Sequence, residues 1–268
     1  MEKSFMPVFN RHLLKSGVVL VALLVSTAAF AQSKEDPWSA FKLGYEAYQQ
    51  GNKAEAVEAY KYAAESGVPG ARWKLAHMYA AGDGVPRDDL AAFHMFEQIV
   101  LGGAEAQSQD ESYVADAHLV LARYLTTGIR GTNVRPDPGL ARDLYLRAAT
   151  FYGSPEAQFQ LGRMILDDQQ DAGRLKQAAR WLQLAIKKGH NGAQALLGKI
   201  YFESGRTVRG LAMLTGALEG ASSQDRPWIL GIHERAFALS SEADRRTAIA
   251  LTEDGNAAIT RAITENGN

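Results

Sequence analysis

A helical pattern recurs five times along this chain, and that recurrence narrows the fold before any composition is counted. Its first half is a small residue, three further positions, a leucine, then glycine or alanine. The anchor leucines are Leu43, Leu75, Leu121, Leu161 and Leu197, followed by Gly44, Ala76, Ala122, Gly162 and Gly198. Four residues before each anchor stand Ser39, Ala71, Ala117, Ala157 and Ala193. The anchors are 32, 46, 40 and 36 residues apart, so the insertions must fall in turns.

The second half follows each anchor. A small residue is succeeded by a large apolar one at offset four, an apolar pair at seven and eight, and a small residue near eleven. The first copy is Ala56, Tyr60, Ala63, Ala64 and Gly67; the fourth is Ala178, Leu182, Ala185, Ile186 and Gly189. Such offsets trace one stripe along a helix. Each unit is therefore expected to be a helical hairpin that buries both faces only by stacking on neighbours. Two helices approach closely where one offers a gap. The glycines and alanines after the anchors supply it, and the aromatic at offset four, such as Tyr60 or Phe96, can fill it.

The loop with the most information runs from Gly82 through Gly84, Val85 and Asp88. Glycines stop the first helix, Val85 plugs the end of the hairpin, and Asp88 or Asp89 caps the second helix. First helix, loop and second helix together resemble the Sel1-like repeat, a relative of the tetratricopeptide repeat. The unit from Ala71 to Gly103 shows the loop in full; other units shorten or replace it. The resemblance implies an all-α, right-handed α-solenoid of Sel1-like helical hairpins, a general binding scaffold. About five repeats are expected over 38–221, with C-terminal capping helices over 222–268. Polar insertions at 104–116 and 129–138 are expected as surface loops between repeats.

The N-terminus reads as an address. Lys3, Arg11 and Lys15 precede an apolar run from Gly17 to Val25, and Ala29, Phe30 and Ala31 form an A-x-A box. The run is short of the roughly 20 residues a spanning helix needs. Residues 1–31 are expected to be a signal peptide cleaved after Ala31, with 32–37 a short linker. Losing Lys3, Arg11, Lys15 and Glu2 takes the net charge from −1 to −3. That balance gives no pull towards nucleic acid, and no later run suggests membrane insertion. A periplasmic location is expected.

Chemistry is sparse. The chain has no cysteine, which removes disulfides, thiolate metal sites and cysteine nucleophiles. Its six histidines include no H-E-x-x-H pair, and neither a Walker loop nor a G-x-S-x-G elbow is present. The pairs Asp88-Asp89 and Asp167-Asp168 suit helix ends better than acid–base work. No enzyme activity, cofactor or metal is expected.

A residue two positions from an anchor is rotated by about 200° and points away from the packed side. That places Phe41, Tyr45, Trp73, His77, Arg123, Phe159, Arg163 and Lys199, with Tyr48 beside them, on the face that lines a concave groove. The aromatics either bind a partner or pack between adjacent first helices. A protein with an apolar anchor and an acidic stretch would suit the groove.

Signal segment, repeat number and missing cysteines also resemble the periplasmic regulators of exopolysaccharide synthesis in rhizobia and agrobacteria. This resemblance implies a negative regulator that binds the periplasmic domain of a membrane sensor histidine kinase and holds a two-component pathway off. A periplasmic protease is a second implied partner, and motility a second output. The alternative expectation is a helical-repeat scaffold of a polysaccharide export complex.

Overall fold

The computed structural model describes residues 36–104, 108, 110–167 and 171–252. The signal segment, its cleavage point after Ala31 and the linker up to residue 35 lie outside them. The described residues are helical, with no strand among them: α1 (Pro37–Gln49), α2 (Lys53–Glu65), α3 (Pro69–Ala81), α4 (Asp89–Gly102), α5 (Asp110–Thr127), α6 (Pro138–Thr150), α7 (Pro155–Asp167), α8 (Ala172–Ile186), α9 (Asn191–Glu203), α10 (Thr207–Glu219), α11 (Arg226–Ala238) and a further helix at 242–252. The chain divides into two compact units, up to Ala117 and from His118, so α5 contributes to both. None of these helices is long and apolar enough to cross a membrane.

Local sequence sets the helix ends. Asp88, Asp137 and Asp171 accept hydrogen bonds from Ala91, Leu140 and Arg174 backbone N–H groups at 2.9, 2.9 and 2.8 Å. Each occupies an N-cap, where a carboxylate satisfies an amide with no partner in the helix. Pro37, Pro69 and Pro155 open first-type helices, where a missing N–H costs nothing. The short turns before α2 and α10 carry Asn52 and Arg206, and neither side chain caps its helix. In the long loop Gly84 takes φ +79, and a Cβ there would stand 2.7 Å from Lys53 Cβ. Two constraints thus require glycine at that position. Val85 packs on the first unit's core, at the mouth of the α1–α2–α3 cluster.

In the first unit α1 packs on α2, α2 on α3 and α3 on α4. Leu43 is half-buried and Leu75 fully buried. Gly44 lets Tyr60 in: a Cβ on Gly44 would lie 2.8 Å from the tyrosine ring, and Tyr60 has no exposed surface. In the second unit α7 packs on α8 and α9 on α10, with Leu121, Leu161 and Leu197 buried. A Cβ on Gly162 would lie 2.8 Å from Leu182, and one on Gly198 3.1 Å from Leu214. Close approach at a small residue, filled by a large one, recurs in both units.

One expectation changes. The polar insertion at 104–116 is not wholly a loop, because Asp110 begins α5 and its first two turns come from that stretch. Leu239, just past the end of α11, is 75% exposed, and Leu251 is exposed as well. The insertion at 129–138 is tied down: Asp137 N–H donates to Leu125 O at 2.7 Å, and Ile129 N–H to Val134 O at 3.0 Å.

Candidate partner-binding surface

In the first unit the anchor-adjacent residues have separate fates. Tyr45 stands 53% exposed on α1, and Trp38, two turns earlier on the same stripe, is 58% exposed. Phe41 leans inward, 5.8 Å from the Tyr60 ring and 6.1 Å from Trp38. The Tyr48 hydroxyl donates to Asp83 at 2.7 Å, and Lys74 Nζ sits 4.1 Å from its ring centre. Asp83 also takes a hydrogen bond from Lys53. Those contacts with Lys53 and Tyr48 hold the Asp83 carboxyl below its ordinary range. Tyr48 thus clamps the 82–88 loop to α1.

Trp73 and His77 share one acceptor. The Trp73 Nε1–H donates to Asp116 Oδ2 at 2.7 Å, and His77 Nε2 meets the same oxygen at 2.7 Å. The Trp73 ring lies 5.3 Å from Tyr113 and 4.6 Å from His77. Asp116 and Tyr113 join α5 to α3, and the sequence reading assigned neither. Their signal was available as Val114, Ala117 and Leu121, whose helical spacing runs back into the apparent insertion. His94 pairs with Glu97 on its own helix at 2.8 Å. Among the described residues no group of histidines and carboxylates is placed to hold a metal.

In the second unit the cations stand out from the helices and the aromatic does not. Arg123 and Arg163 are exposed on α5 and α7. Lys199 on α9 is half-buried, its Nζ 3.6 Å from Glu203. Burial pushes the Tyr145 hydroxyl up, while Arg123 and Arg163 pull it the other way. Phe159 corrects the groove expectation: it is 7% exposed, stacked 4.6 Å from His190 and 6.4 Å from Trp228. It packs between successive first-type helices. Arg163 caps its outer face, with the guanidinium 6.0 Å from the ring.

His190 binds two elements together. Its Nδ1 accepts from Ala193 N–H at 3.1 Å as the N-cap of α9, and its Nε2 meets Glu156 Oε2 of α7 at 3.0 Å. The His190 contact holds the Glu156 carboxyl below its ordinary range against the opposing effect of burial, and Gln160 adds to the lowering. A carboxyl lowered on folding contributes stability above its unfolded value, lost as pH falls through its folded value. Glu156→Gln is therefore expected to melt below wild type at pH 7, and the gap to narrow as pH falls below the ordinary carboxylate range. A gap that does not change with pH would show that the pair stabilises by packing alone.

The Sel1 repeat family model matches residues 39–68, 69–103, 115–150 and 155–190. The α9–α10 hairpin lies beyond those matches. The chain is 47% identical over 218 residues to an exopolysaccharide production negative regulator of Rhizobium meliloti, covering 81% of each chain. It is 48% identical over 221 residues to the protein of the same name in Rhizobium leguminosarum bv. viciae, covering 82% of this chain and 83% of that one. Among solved structures, a Sel1 repeat protein from Oxalobacter formigenes superposes with a TM-score of 0.57 at 22% identity, over 82% of this chain and 88% of that one. This likeness shows the all-α solenoid fold.

Proposed function

The chain belongs to the Sel1 repeat family, and from that premise we propose that it is a negative regulator of exopolysaccharide production that works by binding another protein. The observation that carries this reading is the near-half identity to two proteins named for that role, sustained over four-fifths of the chain. A stack of helical hairpins, each presenting side chains to a shared face, suits gripping a partner. The finer reading places the protein in the periplasm, after cleavage at Ala31. There it binds the periplasmic domain of a sensor histidine kinase and favours that sensor's inactive conformation. A ligand shifts such an equilibrium only by its differential affinity for the two states, so release or proteolysis of the regulator would free the kinase. Motility would change with exopolysaccharide output.

Arg123 and Arg163 are exposed, and among the described residues no carboxylate lies within ion-pair distance of either. The test is a deletion strain complemented with wild type or with Arg123→Glu/Arg163→Glu, coupled to cross-linking and capture of the membrane partner. Wild type is expected to restore low exopolysaccharide and to capture a sensor kinase. The double variant, folded by circular dichroism, is expected to lose at least tenfold in capture and to leave exopolysaccharide high. Capture of a polysaccharide synthase or an outer-membrane porin in place of a kinase would overturn the kinase reading. Undiminished capture by the double variant would remove these arginines from the interface.

A further inference from the structure

We propose that the face formed by α7, α9 and α11 binds an extended, polyproline-II-like segment of a partner protein. That segment carries carboxylates at every third residue and apolar side chains between them. The inference rests on the protein-binding reading above and deepens it by naming the chemistry of the bound segment.

Arg163, Lys199 and Arg235 follow one another at intervals of 36 residues. Each lies two positions after the anchor of its helix: Leu161, Leu197 and, on α11, His233. The anchor position of α11 is filled by an imidazole whose burial lowers its proton affinity, and its Nε2 lies 3.2 Å from Thr215 Oγ1. This replaced leucine hides α11 from the repeat pattern, yet α11 packs on α10 and α9 as a first-type helix does. The three cations are therefore equivalent by position. Among the described residues no carboxylate lies within ion-pair distance of Arg163 or Arg235, and Lys199 has only the 3.6 Å contact with Glu203.

Clefts with apolar walls separate these cations. Between α7 and α9 a cleft of about 310 Å³ is walled by Leu166, Leu175, Leu196 and Ile200 and also lined by Asp167, Glu203 and Ser204, with Arg163 and Lys199 at its edge. Between α9 and α11 a smaller one of about 110 Å³ is walled by Phe202, Leu214, Ile232 and Leu239, with Lys199 and Arg235 at its edge. The exposed Leu239 forms the outer wall of the second cleft. The order along the face is cation, cleft, cation, cleft, cation.

Packed helices lie about 8–10 Å apart. A polyproline-II segment has three residues per turn and rises about 3.1 Å per residue, so equivalent side chains repeat every ~9 Å on one face. The two periods match. Carboxylates at i, i+3 and i+6 would meet Arg163, Lys199 and Arg235 in turn, while a neighbouring apolar side chain turns into each cleft. An ordinary β-strand alternates faces and would send the second carboxylate away from the next cation. Asp167 and Glu203 lie one helical turn beyond Arg163 and Lys199 in the same cleft. They repel an acidic segment that slides along the helix axes, which fixes its path across the cations.

The test uses the mature protein and a fluorescein-labelled peptide of four Glu-Leu-Pro repeats, read by anisotropy at two salt concentrations. The peptide is expected to bind, more weakly at high salt, and Arg235→Glu or Arg163→Glu to weaken it at least tenfold. Arg180→Glu, a reversal on α8, serves as the control and is expected to change it less than twofold. A peptide of the same composition with its glutamates clustered is expected to bind at least tenfold more weakly. Equal binding of the clustered or a Lys-Leu-Pro peptide, or indifference to Arg235→Glu in a folded variant, would overturn the proposal. So would Arg235-dependent binding of tetragalacturonate with no peptide binding, which would assign the face to an acidic glycan. Failure here with sensor capture intact sinks only this inference; peptide binding with no effect on exopolysaccharide sinks only the regulatory reading.

Discussion

Tyr60→Ala is expected to destabilise the protein by about 3–5 kcal/mol, the range for removing a large aromatic from a packed core. Tyr60→Phe is expected to cost nothing or to stabilise by about 1 kcal/mol. Tyr60 is fully buried against Gly44, and no substitution elsewhere on α2 opens a comparable void in the first unit. Its hydroxyl, however, has no hydrogen-bond partner among the described residues. A buried hydroxyl without a partner pays its desolvation without return, so deleting it relieves a penalty. The same burial pushes the Tyr60 hydroxyl up to about 12. A group raised on folding contributes stability that is complete below the unfolded value near 10 and is lost as pH rises through the folded one. Wild type should therefore lose ground to Tyr60→Phe between about pH 10 and 12, a loss that thermal melts at pH 9 and 11.5 would register. A phenylalanine variant melting well below wild type at pH 7 would refute the unsatisfied hydroxyl. An alanine variant within 1 kcal/mol of wild type would refute the packing account.

The hairpins were legible because a small residue beside a leucine and a large residue on the next helix are two statements of one contact. Spacing alone pairs Gly44 with Tyr60, while Gly162 with Leu182 and Gly198 with Leu214 repeat that contact with a leucine in the place of the expected aromatic. Asp88 as a cap was legible for the same reason: its chemistry acts within one turn of chain. Phe159 was not. The 200° rotation that points it outward assumes a helix packed on one side, whereas a first-type helix within a stack touches its own partner and the next hairpin. His190 and Trp228 occupy the space that the rotation argument left to solvent. Asp116 was hidden by composition, since a polar run reads as loop even when Val114 and Leu121 keep helical phase through it. Arg235 was hidden by one substitution, His233 in place of an anchor leucine. Periodicity finds contacts within a unit well, and misses those that depend on which unit comes next.

A double-mutant cycle at Gly162 and Leu182 should show strong coupling within the second unit. Gly162→Ala alone places a methyl 2.8 Å from Leu182 Cγ and Cδ2, so the pair must separate. Overpacking of this kind costs about 1–3 kcal/mol, offset by the ~1 kcal/mol that alanine gains over glycine in a helix. Leu182→Ala alone empties a fully buried site and should cost about 2–5 kcal/mol. Combined, the new methyl enters the space the leucine left, and the double variant should be more stable than the sum predicts by about 1–2 kcal/mol. Denaturant unfolding of the four proteins measures this directly; additivity within about 0.5 kcal/mol would mean that the close approach carries no specific energy. The consequence extends to binding, because Arg163 is the next residue on α7. The depth to which Leu182 seats against Gly162 fixes the position of α7, and with it the height of Arg163 above the α7–α9 cleft. Gly162→Ala, which leaves every charge in place, is thus expected to weaken acidic-peptide binding through geometry alone, and Leu182→Ala added to it should restore part of that loss.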